Sequence, residues 1–144
     1  MEITNLTKTK IDVKSLQKAA QAAFAVLRAH RSLVERDEGG REEKEISLVL
    51  VDDAKMKELN KTYRQKNQTT DVLSFGELNE IFISLPQAER QAKEAKKSTI
   101  AELMKLLTHG IVHLAGYEHE KSAKEADRMF AVEKKILDNL ELEK

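Results

Sequence analysis

Ile46-Ser47-Leu48-Val49-Leu50-Val51 is followed at once by Asp52-Asp53, and the reading of this junction decides the fold class. The run is β-branched, apolar and without alternation, which predicts an interior strand covered on both faces. Asp52 and Asp53 supply a helix N-cap. Met56, Leu59 and Tyr63 then recur at helical spacing, so a short helix should end near Arg64. Upstream, Leu16, Ala20, Ala23, Leu27, His30 and Val34 alternate in steps of four and three. That spacing predicts an amphipathic helix over 14–35 whose apolar face needs a partner, and the 46–51 strand is the obvious one. Residues 36–44, charged and holding Gly39-Gly40, read as a loop within the domain.

Downstream of Arg64 the signals are shorter. Residues 66–70 read as a loop, 72–75 and 80–84 as strands with Gly76 between them, and Pro86 as the start of a helix over about 87–97. That helix carries Ala88, Ala92 and Ala95 on one side and a basic stripe of Arg90, Lys93 and Lys97 on another. Thr99 and Glu102 match a capping box ahead of Leu103, Leu107, Ile111 and Leu114, predicting a helix over about 100–115 that Gly116 ends. A last amphipathic helix over 121–140 presents Ala126, Met129, Phe130, Glu133, Leu137 and Leu140. Residues 2–6 offer an extra edge strand. The expectation is an α+β fold, a small mixed sheet of about four strands packed by about five helices, in a single domain over 1–144.

Composition narrows the chemistry. The 144 residues hold 25 Lys+Arg against 25 Asp+Glu, so a general nucleic-acid binder with a basic excess is disfavoured and any RNA contact must be local. The longest apolar run is far short of the ~20 residues of a membrane span, and residues 1–10 lack a signal-peptide pattern. A soluble, cytoplasmic protein without membrane partners is expected. With no cysteine, disulfides, thiolate nucleophiles and cysteine zinc fingers are excluded, and a transition metal would need imidazole or carboxylate ligands.

Three of the four histidines fall in His109-Gly110-Ile111-Val112-His113-Leu114-Ala115-Gly116-Tyr117-Glu118-His119. His109 and His113, four apart on a helix, point the same way and can bind one ion. A reversal at Gly116 can bring His119 to that ion, completing three imidazoles with the fourth tetrahedral position open for water. The spacing is that of the metzincin metalloproteases, but Gly110 stands where their general-base Glu follows the first histidine. The pattern therefore favours a metal-dependent hydrolase and disfavours a protease. A divalent zinc with three neutral ligands lowers the pKa of bound water to about 7. A phosphodiester, whose difficulty lies in anionic charge, suits such a centre, with Arg to meet the oxygens of its transition state.

The sequence here resembles the YbeY family of endoribonucleases, metal-dependent ribosomal-RNA maturation factors. The resemblance rests on Leu59-Asn60-Lys61-Thr62-Tyr63-Arg64 with Thr70-Asp71-Val72-Leu73-Ser74-Phe75, on Glu80-Ile81-Phe82-Ile83-Ser84, and on Glu102-Leu103 leading into His109 through His119. It implies that His109, His113 and His119 ligate one zinc ion and that Arg64 lines the same cleft as the functional arginine. It also implies a ribosomal-RNA substrate, with the small ribosomal subunit as partner in rRNA maturation and quality control. Two other classes stay open: a ribosome-associated binding factor with a structural zinc, and an atypical zinc peptidase. Glu118 is a candidate carboxylate behind His119, Glu102 a candidate anchor for Arg64 or helix cap, and Tyr63 and Tyr117 are the polar-edged candidates for stacking RNA bases near the cleft.

Overall fold

The computed structural model describes residues 1–31, 46–116 and 123–142. Its elements are β1 (Glu2–Asn5), α1 (Val13–Arg31), β2 (Ser47–Val51), α2 (Asp53–Arg64), β3 (Val72–Phe75), β4 (Glu80–Ser84), α3 (Leu85–Glu94), α4 (Thr99–Leu114) and α5 (Ala123–Leu142). The fold is α+β, with one four-stranded mixed sheet in the order β1-β2-β4-β3. β1 and β4 flank β2 in parallel, and β3 returns antiparallel along β4 as an edge strand. The side chain of His30, Val34, residues 36–44 and the expected helix start at 121–122 lie outside the described residues.

Strand alternation divides the core in two. Leu48, Leu50, Ile81 and Ile83 point to one face and share a fully buried cluster with Leu16, Ala20 and Ala23 of α1, Leu103, Leu107 and Ile111 of α4, and Ile136 of α5. On the opposite face Val51 and Leu73 meet Met56 and Leu59 of α2, while Val49, Phe75 and Phe82 remain only partly buried. The 46–51 run is thus central, as its composition predicts, but the second cover is one short helix. Much of that face stays near solvent.

Local chemistry sets the element ends. Asp52 caps α2 by accepting from the Lys55 amide, and Ser84 caps α3 by accepting from Gln87. The loop after α2 is fixed from inside. Gln65 turns left-handed at φ 59°, its amide and that of Lys66 both return to the Asn60 carbonyl, and the buried Asn60 amide donates 2.8 Å to the Gln68 carbonyl. This lock aims the last turn of α2, where Arg64 sits, at the β3 edge.

Two expectations are corrected. Ser98, one residue earlier than expected, caps α4 through the Ala101 amide, so Glu102 is not part of a capping box. Its carboxylate is buried instead between Lys97 (2.6 Å) and the Gln91 amide (3.0 Å), tying α3 to α4. Burial pushes the Glu102 carboxyl up, but these two hydrogen bonds and the charges of Lys97 and Lys105 outweigh it and hold it below the usual carboxylate value. Glu102 therefore adds stability above the ordinary carboxylate range that is lost as pH falls through its lowered folded value. The helix expected to reach 97 ends at Glu94, because Lys96 adopts φ 56° and the Lys97 amide closes back on Ala92. Of the basic stripe, Arg90 pairs with Asp53 at 2.9 Å and Lys97 with Glu102, so two of its three charges serve internal ties.

Candidate metal centre and cleft

α4 carries the histidines on the side away from its buried Leu103, Leu107 and Ile111. One turn separates His109 from His113, and their Nε2 atoms lie 3.0 Å apart. Behind them, His109 Nδ1 meets Glu133 Oε1 of α5 at 2.6 Å. A carboxylate that accepts a hydrogen bond from Nδ1–H favours the neutral ring with its lone pair on Nε2, the tautomer that ligates metal. Two nitrogens bound at 2.0–2.1 Å to a tetrahedral ion stand roughly 3.3 Å apart, so this pair fits one divalent cation with little adjustment. Among the described residues no group of three His, Asp or Glu is poised on one ion. The expected third ligand, His119, lies outside the described residues, as do Tyr117 and Glu118.

Gly110 explains why the protease base is missing. A Cβ there would meet Ile81 Cγ2 at 3.0 Å, Ile81 Cδ1 at 3.1 Å and Ser74 Oγ at 3.2 Å. Ile81 is fully buried, so the position after the first histidine faces the sheet and has no room for a Glu. The same glycine lets α4 approach the sheet closely enough for Ser74 Oγ to donate to the Gly110 carbonyl at 3.5 Å. Gly116, at φ 102°, ends the helix as expected.

Ser74 also links the second half of the cleft. Arg64 reaches from the end of α2 to donate to the Ser74 carbonyl at 3.2 Å, and its guanidinium lies 6.0 Å from the centre of the Phe75 ring. Arg64 and the histidine helix thus converge on one residue of the edge strand, from opposite faces of the sheet. Asp71 accepts from the Val72 amide and closes the start of β3 locally, a structural role. Glu102 contacts Lys97 and Gln91 and does not anchor Arg64.

Glu133 was not singled out as functional by its sequence context, yet a signal existed: it is the one carboxylate in the otherwise apolar stripe Ala126, Met129, Leu137 and Leu140. If it orients His109 toward an ion, Glu133→Ala should weaken zinc affinity roughly 10–100-fold, read by competition with a chromogenic chelator. Unchanged affinity would remove Glu133 from the centre.

The mixed sheet, with a helix-borne imidazole pair backed by a carboxylate, defines an α+β protein with a candidate metal centre. The chain belongs to the YbeY family: the family model described as Endoribonuclease YbeY matches residues 2–141. It is 37% identical over 147 residues to a protein of Aquifex aeolicus named endoribonuclease YbeY, covering 96% of this chain and 90% of that one. A second protein of that name, from Persephonella marina, is 43% identical over 107 residues, 67% of this chain and 70% of its own. The solution structure of a Thermotoga maritima protein is similar with TM-score 0.63 and 28% identity, covering 96% of this chain and 88% of that one.

Proposed function

We propose that this chain is a zinc-dependent endoribonuclease that acts on ribosomal RNA in the cytoplasm, in maturation and quality control of the small ribosomal subunit. The observation that carries the reading is the pair of Nε2 atoms 3.0 Å apart, with Glu133 holding the outer nitrogen of His109. His109, His113 and His119 would hold the ion. When bound, zinc supplies positive charge at the scissile phosphate and lowers the pKa of water there to about 7.

The chain's own groups do the remaining work. Glu133 keeps the His109 proton on Nδ1 and the ring in place. The Ser74 carbonyl takes one of the five N–H donors of Arg64 and so fixes the guanidinium at the cleft edge. The remaining donors can pair with two phosphoryl oxygens as negative charge grows on them. The packed Gly110 position supports phosphodiester over peptide hydrolysis, because the carboxylate that follows the first histidine in the proteases is replaced here by a glycine packed against Ile81. A binding factor with structural zinc would need a fourth protein ligand to close the ion off.

The test is incubation of the zinc-loaded chain with ribosomal RNA, free and within the small subunit, with and without chelator. Internal cuts that chelator abolishes are expected. The product ends separate the two nucleophiles, since a cyclic phosphate marks attack by the RNA 2′-hydroxyl and its absence marks water. No cleavage in either form of the substrate, or cleavage that survives complete metal removal, would overturn the proposal.

A further inference from the structure

The sequence holds only four Phe and two Tyr, and three of these six rings form one file. Phe82 and Phe75 lie on the thinly covered face of the sheet with centroids 5.7 Å apart, edge to face. Tyr63 continues the file outward, 5.1 Å from Phe75 and again edge to face. Spacing from Leu59 places Tyr63 in the apolar stripe of α2, yet it is 59% exposed, with its ring against Phe75 of the edge strand. An aromatic ring buttressed from behind and bare in front has lost much of its freedom already, so a flat ligand that covers it meets a small ordering cost.

What should cover it follows from its neighbours. Arg64 is the next residue, held by the Ser74 carbonyl, whose own side chain touches the histidine helix at Gly110. Lys61 and Lys66 are exposed on either side of the same helix end, which concentrates positive charge in a chain of zero net charge. A flat π-face beside phosphate-seeking cations, tied to the histidine helix through Ser74, matches a nucleobase attached to its phosphate.

We infer that Tyr63 is a stacking platform for one unpaired base of the RNA, next to the phosphate that Arg64 engages. The inference rests on the endoribonuclease reading and deepens it. Every base has a π-face, so stacking on the Tyr63 ring tolerates any base. A duplex, with its bases stacked on one another, cannot offer the platform a face.

The absence of Trp gives a direct readout, since Tyr63 and Tyr117 alone carry the emission. Tyrosine fluorescence and Kd are measured for the full chain with single-stranded r(A)8, r(U)8 and an eight-base-pair RNA duplex. The proteins compared are wild type, Tyr63→Phe, Tyr63→Leu, and Leu6→Ala, an exposed apolar residue beyond the opposite sheet edge. Expected are quenching of wild type by both single strands, tighter binding of both than of duplex, and a loss of roughly tenfold or more in Tyr63→Leu. Tyr63→Phe should keep its affinity within threefold while losing most of the quenching, and Leu6→Ala should match wild type. Tyr63→Leu binding as tightly as wild type would overturn the platform and leave the ribonuclease reading standing. No binding of single strands by wild type would overturn both.

Discussion

His113→Ala should purify with well below one zinc per chain and cleave no RNA, while retaining its helical content. The ring is partly exposed at the open side of α4, so its removal leaves the buried Leu107 and Ile111 contacts untouched. What is lost is one of two nitrogens already at ligand spacing. A centre of three imidazoles that drops to two loses affinity steeply, because no other described carboxylate or imidazole stands ready to replace it. Metal analysis together with the cleavage assay reads both effects. Full retention of metal and activity would contradict the ligand set.

Arg64→Ala should separate the two halves of the cleft. The side chain is exposed and its one described hydrogen bond goes to a backbone carbonyl, so fold and metal content should be unchanged. Turnover should fall by roughly 10²-fold or more, the scale of losing a charge partner in the transition state. Arg64→Lys should recover only part of this, since a point charge cannot make two parallel bonds to a phosphoryl group. Unchanged turnover in Arg64→Ala would remove Arg64 from the chemistry. Because an atypical peptidase would have no anionic phosphate for it to meet, peptide cleavage insensitive to Arg64→Ala would point to that class instead.

The main elements were legible because their signals are redundant. β2 carries an uninterrupted apolar run, α2 has Asp52 before it, and α4 has both an apolar period and a terminal glycine. Boundaries failed where one signal stood alone or two adjacent residues offered the same chemistry. Ser98 and Thr99 both carry a hydroxyl, and only the packing of α3 on α4 places Ser98 at the cap, freeing Glu102 to meet Lys97. The end of α3 was hidden because Lys96, not a glycine, takes the left-handed turn.

Periodicity also misplaced side chains at helix margins. Met129 and Phe130 are neighbours about 100° apart on α5, so the core accepts Met129 and leaves Phe130 69% exposed. Tyr63 keeps step with Leu59 but packs against Phe75 of the edge strand and stays 59% exposed, a limit that only strand order reveals. For the site, helical spacing sufficed to bring His109 and His113 together, whereas the partner of His109 comes from α5, 24 residues away in sequence. A long-range contact of that kind leaves only a weak local trace, here a carboxylate interrupting an apolar stripe.

X-ray absorption at the zinc edge of the loaded wild-type chain probes the ligand shell without regard to activity. Three imidazole nitrogens and one exchangeable oxygen, all at 2.0–2.1 Å, are expected, with the nitrogen count dropping in His119→Ala. Four protein ligands, or a shell unaltered when residue 119 is changed, would contradict the account.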